Sequence, residues 1–122
     1  MRIVHGRAES GRSEQRATVS GEVWFDQVLP ATDGTTIATV FFAPGARTFW
    51  HSHENGQILQ VLAGRGLICA SGEQPEPIRA GDTIWVPPGE RHWHGAAPDS
   101  FMTHTAISLG ETRWEREVAA HE

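Results

Sequence analysis

The 122-residue sequence predicts an all-β domain, a sandwich or a barrel, on three observations. Short runs rich in β-branched and aromatic residues recur along the chain, each bounded by Gly or Pro. No stretch before the last dozen residues keeps a helical period. The length and a hydrophobic content of 39% suit one domain with its own core.

Taken in order, residues 1–20 are polar, carry four arginines and show little periodicity, so an extended N-terminal arm is expected there. Residues 21–122 are expected to form the single domain. Glu22 to Leu29 reads as a strand ended by Pro30, with a turn over residues 31–34. Thr36 to Phe42 is a strong strand, with Ala38 and Val40 on one face. Thr48 to His53 follows Pro44-Gly45, then Gln57 to Ala63, a turn at Gly64-Arg65-Gly66, and Leu67 to Ala70. Pro77 to Ala80, Thr83 to Val86, Arg91 to Gly95 and Ser100 to Leu109 complete the strand series. Glu111 to Glu122 reads equally as a last strand or a short helix.

Composition narrows the chemistry. The net charge of −5, with no basic run, argues against nucleic acid. No apolar run is long enough for a membrane helix, and MRIVHGRAES lacks the apolar centre of a signal peptide, so a cytoplasmic location is expected. All ten basic residues are arginine, which excludes a lysine Schiff base, and there is no tyrosine. Histidine, carboxylates, hydroxyls and a bound metal remain for catalysis at neutral pH. The single cysteine, Cys69, sits in an apolar run and reads as a buried, inert thiol. Trp24, Trp85 and Trp114 read as core or interface residues. Trp50 and Trp93 alternate with candidate ligands and should point away from them.

His51 and His53 lie two apart, so on a strand both imidazoles share a face. Gln57 follows four residues on and comes opposite the pair if the chain folds back. Phe49 shares the His51 face; Leu59 shares the Gln57 face. His92 and His94 form a second pair, and the next strand puts Met102, His104, Ala106 and Ser108 on one face. A His-x-His pair on a strand is often incidental, and a lone His104 is more often a satisfied core or surface histidine.

Two spaced motifs alter that balance. Gly45, five residues, His51-Ser-His53, three residues, Gln57, six residues and Gly64 resembles the first motif of the cupins, with Gln57 where Glu is usual. Gly81, five residues, Pro87-Pro-Gly89, two residues and His92 resembles the second, with Ala96 where Asn is usual. The resemblance implies a double-stranded β-helix, or jelly roll, with His51, His53, Gln57 and His92 on one divalent metal. A neutral Gln57, bound directly or holding a ligand, would leave the metal's charge uncompensated.

A narrower resemblance covers residues 36–109. GART-x-WH-x-H over Gly45 to His53, the Gln at 57, HWHGAAP over His92 to Pro98 and MTH-x-AI over Met102 to Ile107 are similar to the bacterial manganese-dependent hydroxynitrile lyases. Ala38 and Val40 match the branch's small apolar residues, while Ser108 stands where it can carry a larger polar one. This resemblance implies reversible cleavage of a cyanohydrin to an aldehyde and hydrogen cyanide, with the metal as Lewis acid. The metal would be Mn, with Fe, Ni, Co and Zn also compatible with the donor set. His104 is the candidate base and His94 the second choice. Ala38, Val40, Phe49, Leu59, Met102 and Ser108 would line the substrate pocket. A homodimer or homotetramer acting on a small-molecule substrate is expected. A metal-dependent oxygenase and a non-enzymatic small-molecule-binding cupin are the rival readings.

Overall fold

A computed structural model describes residues 1–8 and 15–122. Its strands are β1 (Val19–Ser20), β2 (Val23–Thr32), β3 (Thr35–Phe42), β4 (Arg47–Thr48), β5 (His51–His53), β6 (Gln57–Ala70), β7 (Glu76–Arg79), β8 (Thr83–Val86), β9 (His92–Ala96), β10 (Met102–Leu109) and β11 (Thr112–Trp114). Among the described residues there is no helix long and apolar enough to cross a membrane.

All the pairings are antiparallel. The first sheet runs β2-β3-β10-β6-β8, and the second runs β1-β4-β9-β6-β7, with β5 joining β9 to β11. The strand β6 belongs to both. Its first half pairs β10 and β8, and its second half pairs β7 and β9. The sheets face one another as a jelly roll, so inward side chains at alternate positions meet in the middle. Val23, Phe42, Leu59 and Met102 are fully buried there. Each contributes on the order of 2 kcal/mol through area removed from water.

Several sequence expectations change. Pro30 lies inside β2 rather than ending it. That strand is the sheet's edge, with a register shift beside the proline, so the missing N–H breaks no ladder. The turn expected over residues 31–34 tightens to Asp33-Gly34, both at positive φ, 50° and 78°. These are the angles of a two-residue hairpin turn whose twist matches its strands. The strand expected over Thr48 to His53 is broken at Phe49 and Trp50. Their backbones bond instead to Thr18, Arg116 and Glu115.

Gly64-Arg65-Gly66 is not a turn; β6 continues through it. Gly64 sits at φ 76°, and a Cβ there would collide with the carbonyl oxygen of Phe101. The glycine marks a close backbone approach where β6 passes between sheets, not a reversal.

Of the arm expected over residues 1–20, positions 9–14 lie outside the described residues. Ala8 is buried and donates its N–H to the carbonyl of Gln27, and Val19–Ser20 pairs with Arg47–Thr48. The tail forms β11 and then an irregular segment that places Val118 over Trp50, Cys69 and Trp93. Those two tryptophans therefore face away from the neighbouring histidines. Trp85 instead stands 54% exposed on the outer face of the first sheet.

Gly64→Ala should cost about 3 kcal/mol, from positive φ and overpacking together. Gly72→Ala, also at positive φ but with open space around it, should cost only about 1 kcal/mol. Urea unfolding of the two variants measures the difference.

Candidate metal centre

The strand β5 holds His51 and His53 on one face, and β9 pairs with it so that His92 stands opposite His51. The ring centroids are 5.0 Å apart for His51 and His53, 4.3 Å for His51 and His92, and 5.5 Å for His53 and His92. One ring nitrogen from each lies within 4.8 Å of the other two. The Nδ1 atoms are already engaged. His51 Nδ1 donates to the carbonyl of Phe49 (2.8 Å), His92 Nδ1 to that of Glu90 (2.9 Å), and His53 Nδ1 lies 3.0 Å from Thr112 Oγ1. The Nε2 atoms are left for a ligand, the arrangement metal-binding histidines adopt when their other nitrogen is fixed.

These contacts fit a cation. His53 Nε2 is buried with no hydrogen-bond partner. His92, having donated from Nδ1, presents a bare Nε2, yet the Oε1 of Gln57 lies 3.1 Å from it. Two acceptors at that distance repel unless a positive charge joins them. Gln57 Nε2 donates to Ser108 Oγ (3.1 Å), which turns the amide oxygen toward the histidines. Ser108 thus acts on Gln57 as well as bordering the cavity. Three imidazole nitrogens and an amide oxygen form a borderline donor set for a divalent transition metal.

Burial keeps the rings neutral. Desolvation, followed by the neighbouring His92, lowers the pKa of His53 to about 4. The same two causes put His51 well below 6.5, and burial lowers His92 as well. A site that rejects protons leaves its nitrogen lone pairs open to a metal.

His94 stacks beside His92, and its Nδ1 lies 3.0 Å from Nε2 of His104. Both rings are buried in the barrel. Nε2 of His94 and Nδ1 of His104 have no partner. Burial drives the pKa of His104 down to about 4 and that of His94 well below 6.5, the latter reinforced by His104.

A cavity of about 280 Å³ opens beside these groups. That is roughly twice the ~150 Å³ that accommodates benzene in an apolar protein cavity. His51, His53, Gln57, His94, His104, Ala38, Val40 and Ser108 all border it; His92 does not, although its ligand atom stays within reach of the other two.

Three expected pocket residues lie elsewhere. Leu59 and Met102 are fully buried in the main core, and Met102 packs at Gly66. Phe49 stands outside the cavity because the strand break at Trp50 interrupts the alternation that would have aligned it with His51. Phe25, Leu29 and Trp114 are lining residues that the sequence did not disclose. Trp114 pairs with His51 across β11 and β5, its ring 4.5 Å away. The alternation of β2 was a usable signal for Phe25. Nothing local marked Trp114, since its position depends on how the tail returns.

Residues 38–105 match the Cupin domain family, and the chain belongs to that family. It is 49% identical over 90 residues to an (R)-mandelonitrile lyase of Granulicella tundricola, an overlap covering 72% of this chain and 69% of the relative. A cupin-like protein of Thermotoga maritima superposes with a TM-score of 0.85 at 36% identity, covering 94% of this chain and 92% of that one. The polyketide cyclase RemF of Streptomyces resistomycificus shares the fold, with a TM-score of 0.76 at 20% identity and coverage of 98% and 86%. The jelly roll and the likeness to bacterial hydroxynitrile lyases thus agree with the sequence reading.

His51→Ala should abolish stoichiometric metal binding, whereas His104→Ala should retain it; elemental analysis of the two variants separates the roles. The metal-free protein should also lose stability in acid. Above about pH 6.5 the buried histidines are neutral in both folded and unfolded states. Between about 6.5 and 4 the unfolded chain takes up protons that the folded one refuses, so stability falls as pH falls. For His104 alone, a pKa of about 4 corresponds to about 3 kcal/mol. Urea midpoints measured at pH 7.5 and 4.5 read this loss.

Proposed function

We propose that this cupin is a metal-dependent lyase that reversibly cleaves a cyanohydrin to an aldehyde and hydrogen cyanide. The observation that carries the reading is the buried His94–His104 pair beside the three-histidine cluster, in a chain 49% identical to an (R)-mandelonitrile lyase. His51, His53 and His92 would hold the metal, with the Gln57 oxygen as fourth donor, and manganese is the metal proposed. When bound, it supplies Lewis-acid stabilisation of the negative charge that develops as the carbon–carbon bond breaks.

The protein's own groups account for the proton. When His104 donates from Nε2 to His94 Nδ1, its Nδ1 is a bare acceptor and His94 Nε2 carries a hydrogen. The pair then offers a base and an acid side by side. His104 Nδ1 takes the hydroxyl proton, the carbonyl forms, and the bonding electrons leave with cyanide. His104 then gives that proton from Nδ1 to cyanide, which releases hydrogen cyanide and returns both rings to their starting tautomers. Burial makes His104 hold that proton weakly, so it passes on readily. Ala38, Val40, Phe25 and Ala106 form an apolar wall for the aryl or alkyl group and exclude water from it.

Metal-loaded protein should cleave mandelonitrile, lose the activity on chelation and recover it with Mn. No cleavage by fully metallated protein overturns the reading. His104→Ala should keep its metal and lose about 100-fold or more in kcat; unchanged turnover removes His104 as the base.

A further inference from the structure

The three histidines of the metal centre are not held alike. His51 and His92 give their Nδ1 hydrogens to the backbone carbonyls two residues before them, those of Phe49 and Glu90. A carbonyl only accepts, so each of these rings is fixed with its hydrogen on Nδ1 and a bare Nε2. The partner at Nδ1 of His53 is instead the hydroxyl of Thr112, 3.0 Å away. A hydroxyl both donates and accepts, so this contact by itself permits either tautomer.

The surroundings decide between them. If Thr112 donates, the hydrogen of His53 sits on Nε2, which is buried and has no partner. Buried N–H groups without an acceptor are rarely tolerated. If Thr112 accepts, the hydrogen sits on Nδ1 and is bonded. The hydroxyl hydrogen can then turn to solvent, because Thr112 borders both the interior cavity and a surface pocket of about 410 Å³. The hydroxyl is also firmly placed. Thr112 is the direct antiparallel partner of His53 where β11 meets β5, so their side chains leave the ladder on one face. Backbone bonds tie down both flanks, from Glu54 to the carbonyl of Glu111 and from Trp50 to that of Arg116. A β-branched threonine adds little freedom at χ1.

We propose that Thr112 is a positioning residue that fixes His53 in the tautomer with a bare Nε2, and so makes this ring ready for a metal. The consequence for metal affinity rests on the metal-binding reading above; the tautomer does not. With valine at position 112 the Nδ1 hydrogen would lose its acceptor, and the ring would carry hydrogen on Nε2, where it blocks a metal.

The test is long-range proton–nitrogen NMR of the metal-free full chain, which reads His51, His53 and His92 separately, with Mn(II) binding by equilibrium dialysis beside it. In the wild-type protein all three rings should carry hydrogen on Nδ1. Thr112→Val should move the His53 hydrogen to Nε2 while His51 and His92 stay unchanged, and should weaken Mn(II) binding by about 10- to 100-fold. Thr112→Ser should keep the Nδ1 form and at least part of the affinity. Hydrogen on Nε2 of His53 in the wild-type protein or in Thr112→Ser overturns the proposal. So does a His53 ring that keeps its Nδ1 hydrogen in Thr112→Val. Absence of Mn(II) uptake by the wild-type protein removes the metal reading. A tautomer change confined to His53 in Thr112→Val upholds the role of Thr112 even then.

Discussion

The structure depends on a group of imidazoles held neutral inside a barrel. Burying one uncharged histidine costs little when its nitrogens are bonded. Here five are buried together, and several nitrogens face other acceptors or nothing at all. An unpaired buried polar atom costs on the order of 1–3 kcal/mol. The apolar core offsets that cost: Val23, Phe42, Leu59 and Met102 are fully buried, and the Phe42 ring packs directly against His104, with ring centroids 5.2 Å apart. A cation among His51, His53, His92 and Gln57 would satisfy the unbonded nitrogen and relieve the acceptor pair, and so would stabilise the fold.

Position along each strand decides which residues reach the cavity. β10 carries Met102, His104, Ala106 and Ser108 on one inward face, but they serve different levels. Met102 packs with the core against Gly66, His104 meets His94, and Ser108 holds the amide of Gln57. One strand therefore supplies a packing residue, a titratable ring and a residue that orients a ligand. Strand alternation assigns the face, but depth within the barrel decides the role.

The electrostatics follow from what is missing at the fourth donor position. A carboxylate there would cancel part of a metal's charge and attract protons to the neighbouring imidazoles. Gln57 does neither. Desolvation then dominates the histidine pKa values, and the cavity stays free of described acidic groups despite the acidic chain.

Much of this was legible in the sequence. Strand identity followed from β-branched runs between Gly and Pro, and the inward placement of His51, His53, Ala38 and Val40 followed from a period of two. The resemblance of the two motifs to those of the cupins implied that His92 and Gln57 join the same centre. Errors arose where a local signal had a nonlocal cause. Gly64 reads as a turn, yet the glycine is needed because β6 crosses between sheets against Phe101. Phe49 lost its alignment because the arm and the tail claim the backbone beside it. Trp114 reached the cavity only because β11 returns to pair with β5. The sequence by itself determined the all-β class and the shared face of His51 and His53, since both are written in short-range periodicity; the wider donor set came only as what the resemblance to the cupins implies. Only the tertiary structure decided the His94–His104 contact, the depth of each inward residue and the position of Thr112, because those depend on which distant strands become neighbours.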